Sequence, residues 1–381
     1  MIRRPTFLDD FLPDLRRYVH ETLVPAEDEV EERDEVPEPL VEDLRRRGFF
    51  GWSIPEEYGG GGFTTEELSV AAFELSQAST AFRARVGGNT GIASTTLVNY
   101  GTEEQKRRYL PPLASGEYTG CFALTEPDAG SDATALSTRA EQVPGGWEIT
   151  GTKAFITNAP LSDLFTVFAR TGDQRRGAAG ISAFLVPRDT PGLSTGEPYR
   201  KMGQAGSPVS HVHLDHCRVP DDALLGDETD RAFPWAMETL TRQRIHLSAH
   251  CTGAATRLLA DSVEHARTRH QAGRPIGMNQ LVQGMIADSS TDVYASRCMV
   301  LETARSHDDG ADVQASASRC KYFTSEAAGR VADRAVQIYG GYGYIAGSGI
   351  ERAFRDVRLF RLYEGTSQIH QLTIARSELG L

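Results

Sequence analysis

The chain has 381 residues, 40% of them hydrophobic and 24% charged, the balance of an ordinary soluble globular protein with room for two or three packed units. Its net charge of −12 argues against a nucleic-acid binder, which needs a basic footprint. No uninterrupted apolar stretch approaches the ~20 residues that cross a bilayer, and Arg3 and Arg4 lead into Thr6, Asp9 and Asp10 instead of the apolar run of a leader.

The first third reads as helices. The acidic run 27–35 reads as a solvated helix face. The four glycines at 59–62 lack a following Lys-Ser or Lys-Thr, so they read as a flexible turn and not as a phosphate loop. Thr64 and Glu67 have capping-box spacing before Leu68, Ala71, Ala72 and Leu75, an apolar stripe at helical intervals. Thr102 and Gln105 repeat the device, and Pro111 and Pro112 are expected to end that helix.

Near Gly120 the character changes to short strands with turn signals, which last to about Gly226. Pro144, Gly145 and Gly146 predict a hairpin leading into residues 147–150. Residues 165–169, 181–187 and 209–214 are further strands. His211, His213 and Asp215 alternate with Val212 and Leu214, which reads as the wet face of a strand and not as a metal site. After Asp230 the helical period returns. Leu247, Cys251, Ala254, Ala255, Leu258 and residues 260–263 form one broad apolar face, and helices follow around 281–304 and 315–339. The five cysteines are scattered with no C-x-x-C pair, which fits a reducing cytoplasm better than a disulfide framework or a zinc site.

Four segments carry possible chemistry. In residues 121–132 a strand runs into a turn rich in hydroxyls and small residues, suited to a polar ring edge or a pyrophosphate. In residues 151–158, Phe155 and Thr157 share a strand face that could stack on a flat heterocycle and bond its edge. In residues 337–344, Gly340 and Gly341 follow a helix as a cap. In residues 363–369, Glu364 stands beside a Gly-Thr-Ser turn that opens the last helix.

Together, in this order, the four segments resemble the acyl-CoA dehydrogenase family. The resemblance runs from the helical first third to Ala375-Arg376. Its most specific parts are Thr125-Glu126-Pro127 with Gly130-Ser131-Asp132, then residues 155–158, Arg218-Val219-Pro220, Gly340-Gly341 and residues 363–366. It implies a mainly α fold with a central β domain: an N-terminal helical domain (1–119), a middle β-barrel-like domain (120–228) and a C-terminal four-helix bundle (229–381). It implies FAD as cofactor, with Phe122, Leu124, Thr125, Ser131, Phe155 and Thr157 around the flavin ring and pyrophosphate. Arg269, Gln271, Gln280, Gln337, Gly340 and Gly341 match positions that hold the nucleotide half from a neighbouring subunit, and Thr366 and Gln368 match further cofactor contacts. Shared cofactor sites imply a homo-oligomer, a tetramer built as a dimer of dimers. Glu364 matches the base that removes the thioester α-proton while the β-hydrogen leaves as hydride to flavin N5. The implied product is a trans-2-enoyl thioester, and the implied electron acceptor is electron-transfer flavoprotein. Ser131, Arg244, Tyr363 and Gly365 match positions at the thioester ligand. Gln243 stands where a minority of members place the base, and it cannot act as one.

The match has departures. Ala272 replaces the usual Phe of an R-x-x-F-G pattern. Thr241 replaces Asp or Asn toward the CoA end, which makes an acyl group on a carrier protein the alternative substrate. Phe82-Arg83 matches a Tyr-Arg pair that holds a distal carboxylate in glutaryl-CoA dehydrogenases, although Gly87 stands where those have Ser; such an arginine is otherwise solvated or structural. A non-catalytic flavoprotein on this fold, or an oxidase, are the rival functions.

Overall fold

The computed structural model describes residues 8–172 and 174–381, so Arg3, Arg4 and Thr6, weighed above for a leader, lie outside the described residues. Seven helices come first: α1 (Phe11–Tyr18), α2 (Glu27–Arg33), α3 (Glu38–Arg46), α4 (Thr65–Leu75), α5 (Thr80–Gly87), α6 (Ala93–Tyr100) and α7 (Glu103–Ser115). Both capping boxes form, with Thr64 and Thr102 accepting from the backbone N–H of Glu67 and Gln105. Pro111 and Pro112 do not end α7. The helix runs on to Ser115, where Gly116 caps it in the left-handed conformation. Leu110 and Leu113 are fully buried on either side of the prolines, so core packing outweighs the lost amide donors.

Two other expectations for this region need correction. The glycines at 59–62 form a turn, but a tied one: Gly60, Gly61 and Gly62 donate to Pro55, Gly51 and Ile54. A Cβ at Gly60 would lie 2.0 Å from the Ile54 carbonyl oxygen, so this glycine is needed for close approach. The acidic run is not merely solvated. Glu27 and Asp28 pair with Arg352 at 2.9 and 2.8 Å, and Glu31 pairs with Arg355 at 2.7 Å. The partners lie more than 300 residues away, so local charge patterning could not reveal them.

The middle of the chain is a seven-stranded sheet: β1 (Gly120–Ala123), β2 (Arg139–Val143), β3 (Gly146–Thr157), β4 (Leu164–Arg170), β5 (Ile181–Pro187), β6 (Leu193–Thr195) and β7 (Val209–Pro220). The β2–β3 hairpin turns at Pro144 and Gly145 as expected, and β3 continues against β7 and then β6. β1 pairs parallel with β4, whose other edge takes β5 antiparallel. No ladder joins β5 to β6 among the described residues, so the sheet stays open. Val212 and Leu214 are buried while His213 and Asp215 are exposed, which is the expected wet face. No group of His, Cys, Asp or Glu among the described residues could hold a metal ion.

The last third is a bundle. α8 (Ala232–Thr268) leads through the small hairpin β8 (His270–Gln271) and β9 (Arg274–Pro275) to α9 (Gln280–Asp308) and α10 (Gln314–Tyr339). Short α11 (Gly341–Tyr344) and α12 (Gly349–Val357) precede α13 (Ser367–Leu379), which packs along α10. Leu247, Cys251, Ala255 and Leu258 of α8 meet Ala328, Val331 and Ala332 of α10 in one core. A second core joins Ala72 and Phe73 of α4 to Ile245 of α8 and Val300 of α9, which locks the first helices onto the bundle. No described helix is long and apolar enough to cross a membrane. All five cysteines are free.

Candidate active site

A cavity of about 410 Å³ opens where α5, the ends of β1 and β3, α8 and the turn before α13 converge. Phe122, Leu124, Thr125 and Ser131 line it from β1 and the following turn, and Phe155 and Thr157 from β3. Arg83, Arg244, Tyr363, Glu364 and Gly365 close the opposite wall. Arg83 and Tyr363, 280 positions apart in the chain, thus line one cavity.

Glu364 has φ 53° and Gly365 φ 95°. A left-handed backbone costs a non-glycine residue about 1–2 kcal/mol, so Glu364 is held there by its surroundings. Glycine suits position 365, because any other residue would be strained at that φ and its Cβ would lie 2.9 Å from the buried His370 ring. The Glu364 backbone carbonyl accepts from Arg244 Nε at 3.3 Å, and the Gly365 carbonyl from Lys321 Nζ at 2.5 Å. Thr366 then caps α13 by accepting from Ile369 N–H.

The Glu364 carboxylate is 14% exposed and points one oxygen at Arg83, 3.6 Å away. Its other oxygen is buried without a hydrogen-bond partner. Burial pushes its pKa above the usual carboxylate range, against the opposing pull of Arg83, Lys321 and Arg244. A carboxylate with an unused lone pair and raised basicity is equipped to take a proton from a group placed in the cavity. Arg83 is not a solvated arginine: its side chain is 13% exposed, its Nε lacks a partner, and its guanidinium lies 5.7 Å from the centre of the Tyr363 ring.

The facing wall suits a flat ring with polar edges. Phe155 has φ 58° and sits where β3 carries one extra residue against β7, between the pairs Lys153–Val212 and Ile156–Ser210. This bulge turns the ring outward, to 65% exposure, with the hydroxyl-bearing Thr125, Thr157 and Ser131 around the same cavity. The period-two expectation for Phe155 and Thr157 therefore holds in outcome, although the strand is irregular there.

A second, open cavity of about 440 Å³ gathers Arg269, Gln271, Gly340 and Gly341 with Tyr342. Arg269 stacks over the Tyr342 ring at 5.5 Å, and a Cβ added at either glycine would meet nothing within 4 Å. An arginine fork beside bare backbone fits a phosphate-bearing ligand. Gln280, Gln337 and Gln368 are exposed outside both cavities, and Thr366 serves as a cap. Ala272 forms the β8–β9 turn with φ 50°.

The sequence reading missed two lysines. Lys153 is fully buried against Glu126 at 2.7 Å and fixes the turn that carries Thr125 and Ser131. Lys321 is fully buried on α10 beneath Gly365. The available signal was helical period: Lys321 shares the buried face of Ala317 and Ala328, where a charge is out of place.

Known proteins match this arrangement. Residues 9–117, 121–217 and 230–379 match the N-terminal, middle and C-terminal domains of acyl-CoA dehydrogenases. An acyl-CoA dehydrogenase of Bacillus subtilis (strain 168) is 39% identical over 96% of each chain. A 3-(aryl)acrylate reductase of Clostridium sporogenes (strain ATCC 15579) is 38% identical, also over 96% of each. The solved butyryl-CoA dehydrogenase from Megasphaera elsdenii is 31% identical and superposes with a TM-score of 0.95 over 100% of both chains. The chain belongs to the acyl-CoA dehydrogenase family.

Proposed function

We propose that this family member is an FAD-dependent oxidoreductase of acyl-CoA thioesters in which Glu364 removes the α-proton. The observation that carries this reading is the buried, half-unpartnered Glu364 carboxylate facing Phe155, Thr125 and Thr157 across one cavity. FAD, when bound, supplies the acceptor for the β-hydride. Phe155 would stack on its ring, Phe122 and Leu124 would pack beside it, the hydroxyls of Thr125 and Thr157 would bond its polar edges, and Ser131 would meet its pyrophosphate. Arg269, Gln271, Gln280, Gln337, Gly340 and Gly341 would receive the phosphate-bearing half from a second copy of the chain in a tetramer, and Thr366 and Gln368 would add further cofactor contacts. With the division at 119/120 and 228/229, the ring site would lie between the middle and last units, with Arg83 of the first unit on its wall.

The chemistry asked of the chain follows. An α-proton of a thioester is far too weakly acidic for an ordinary carboxylate. Burial raises the basicity of Glu364, and its own N–H polarises the thioester carbonyl as negative charge develops there. Arg244 and Tyr363 border the thioester. In the reverse direction the same carboxylate returns a proton to the α-carbon. Electrons leave to electron-transfer flavoprotein.

Arg83 adds a preference. Its guanidinium-bearing side chain lines the cavity beside Glu364 and favours an acyl group with an oxygen acceptor at its far end. Unchanged kcat/KM for glutaryl-CoA in Arg83→Ala would remove that preference. A second reading, a thioester on a carrier protein, rests on Thr241, whose hydroxyl is spent on the Met237 carbonyl of its own helix.

The test is anaerobic bleaching of the flavin absorbance by a panel of acyl-CoAs and acyl-carrier proteins. Bleaching by a simple acyl-CoA is expected; no bleaching by any thioester would sink the reading.

A further inference from the structure

Lys321 is a fully buried cation whose hydrogen bond runs to a neutral partner, the Gly365 carbonyl. Burying an ammonium without a carboxylate against it is unfavourable, and a methionine or glutamine would fill the same space at less cost. Its location is specific. Lys321 from α10 and Arg244 from α8 hold the consecutive carbonyls of Gly365 and Glu364, from two different helices. Both residues have a left-handed backbone. In a trans peptide the carbonyl and the next N–H point in opposite directions, so the grip fixes the orientation of the peptide planes that follow Glu364 and Gly365.

We propose that Lys321 is a positioning residue for Glu364: with Arg244 it clamps the Glu364–Gly365 turn, aims the carboxylate into the cavity, and places a fixed positive charge beneath it. The proposal rests on Glu364 being the base.

The groups that face this turn come from every packed element. They are Arg83 from α5, Arg244 and Cys251 from α8, Lys321 and Glu326 from α10, Tyr363 from the turn itself and His370 from α13. His370 is driven down to about 3 by burial and stays neutral at working pH. Burial also pulls Lys321 down to about 8, against Cys251 and Glu364, so it is mostly charged at neutral pH. Removing its charge leaves Arg83 and Arg244 to favour the ionised Glu364, and the pH at which the base ionises moves upward.

The experiment uses the FAD-loaded protein with butyryl-CoA, comparing Lys321→Gln and Lys321→Met with the parent. Lys321→Gln keeps a neutral donor for the Gly365 carbonyl and removes only the charge. Flavin reduction should slow by about 10- to 100-fold, and its pH midpoint should rise by about one unit, with KM within about threefold of the parent on this reading. A readout without turnover is enolate formation from acetoacetyl-CoA, followed by ultraviolet absorbance; its pH midpoint should move the same way. Flavin content and melting temperature act as fold controls. An unchanged midpoint in either folded variant overturns the proposal. Failure of Lys321→Gln to fold overturns it too, by assigning the lysine to stability. Failure of the underlying reading looks different: the parent itself would not respond to thioesters, or Glu364→Gln would retain its rate.

Discussion

Glu126 and Glu364 each follow a residue that lines the cavity, Thr125 and Tyr363, and each is largely withdrawn from solvent. Glu126 is saturated. One oxygen accepts from the N–H and hydroxyl of Ser137 at 2.6 and 2.8 Å, and the other from Thr138 N–H at 2.9 Å and Lys153 at 2.7 Å. Burial pushes its pKa up, but Lys153 and these bonds overcome it and hold the carboxyl at about 2. Glu364 has one cation at 3.6 Å and one oxygen with no partner, and its pKa lies above the usual range. A carboxylate with every lone pair committed holds a turn in place, whereas one with a lone pair to spare can accept a proton.

The largest break in this comparison comes from Glu364→Gln. Flavin reduction by an accepted thioester should fall by about 10³-fold, while flavin content stays full; stopped-flow absorbance reads both. At Glu126 the expected effect is on folding instead. Glu126→Gln or Lys153→Met leaves the other charge buried alone and should lower the unfolding free energy by about 3–5 kcal/mol, measured by denaturant titration. Replacing both with apolar residues should restore part of that loss.

Acid titration separates the two further. The folded Glu126 carboxyl is depressed, so the stability it lends is complete above about 4.5 and is lost as pH falls through about 2. The Glu126→Gln protein should lack that component of the melting-temperature decline. Glu364 has the opposite sign: its folded pKa is raised, so stability falls as pH rises through that value.

Arg83→Gln tests the half-partnered state. Removing the nearest cation should raise the pH midpoint of flavin reduction by about one unit, and an unmoved midpoint would separate Arg83 from the base. The smallest expected effect is a gain. Glu364→Gln relieves a buried charge and should raise the melting temperature, above the pH at which the base ionises, by about 2 °C.

What could be read from the sequence was short in range. The capping boxes at Thr64 and Thr102, the hairpin at Pro144 and Gly145, the wet face at His213 and the turn that opens the last helix after Glu364 all depend on partners within a few residues. The motif segments pointed to the cavity wall for the same reason, since each short run carries its own chemistry. Where local rules met distant packing, they failed: α7 passes through Pro111 and Pro112, and the acidic run 27–35 meets Arg352 and Arg355. Only the tertiary structure decided that Arg83 turns inward to Glu364, that a bulge swings Phe155 outward, and that Lys321 and Arg244 hold the turn behind the base. Those outcomes depend on contacts between residues dozens to hundreds of positions apart, and on burial that changes the basicity of a carboxylate without changing its place in the chain.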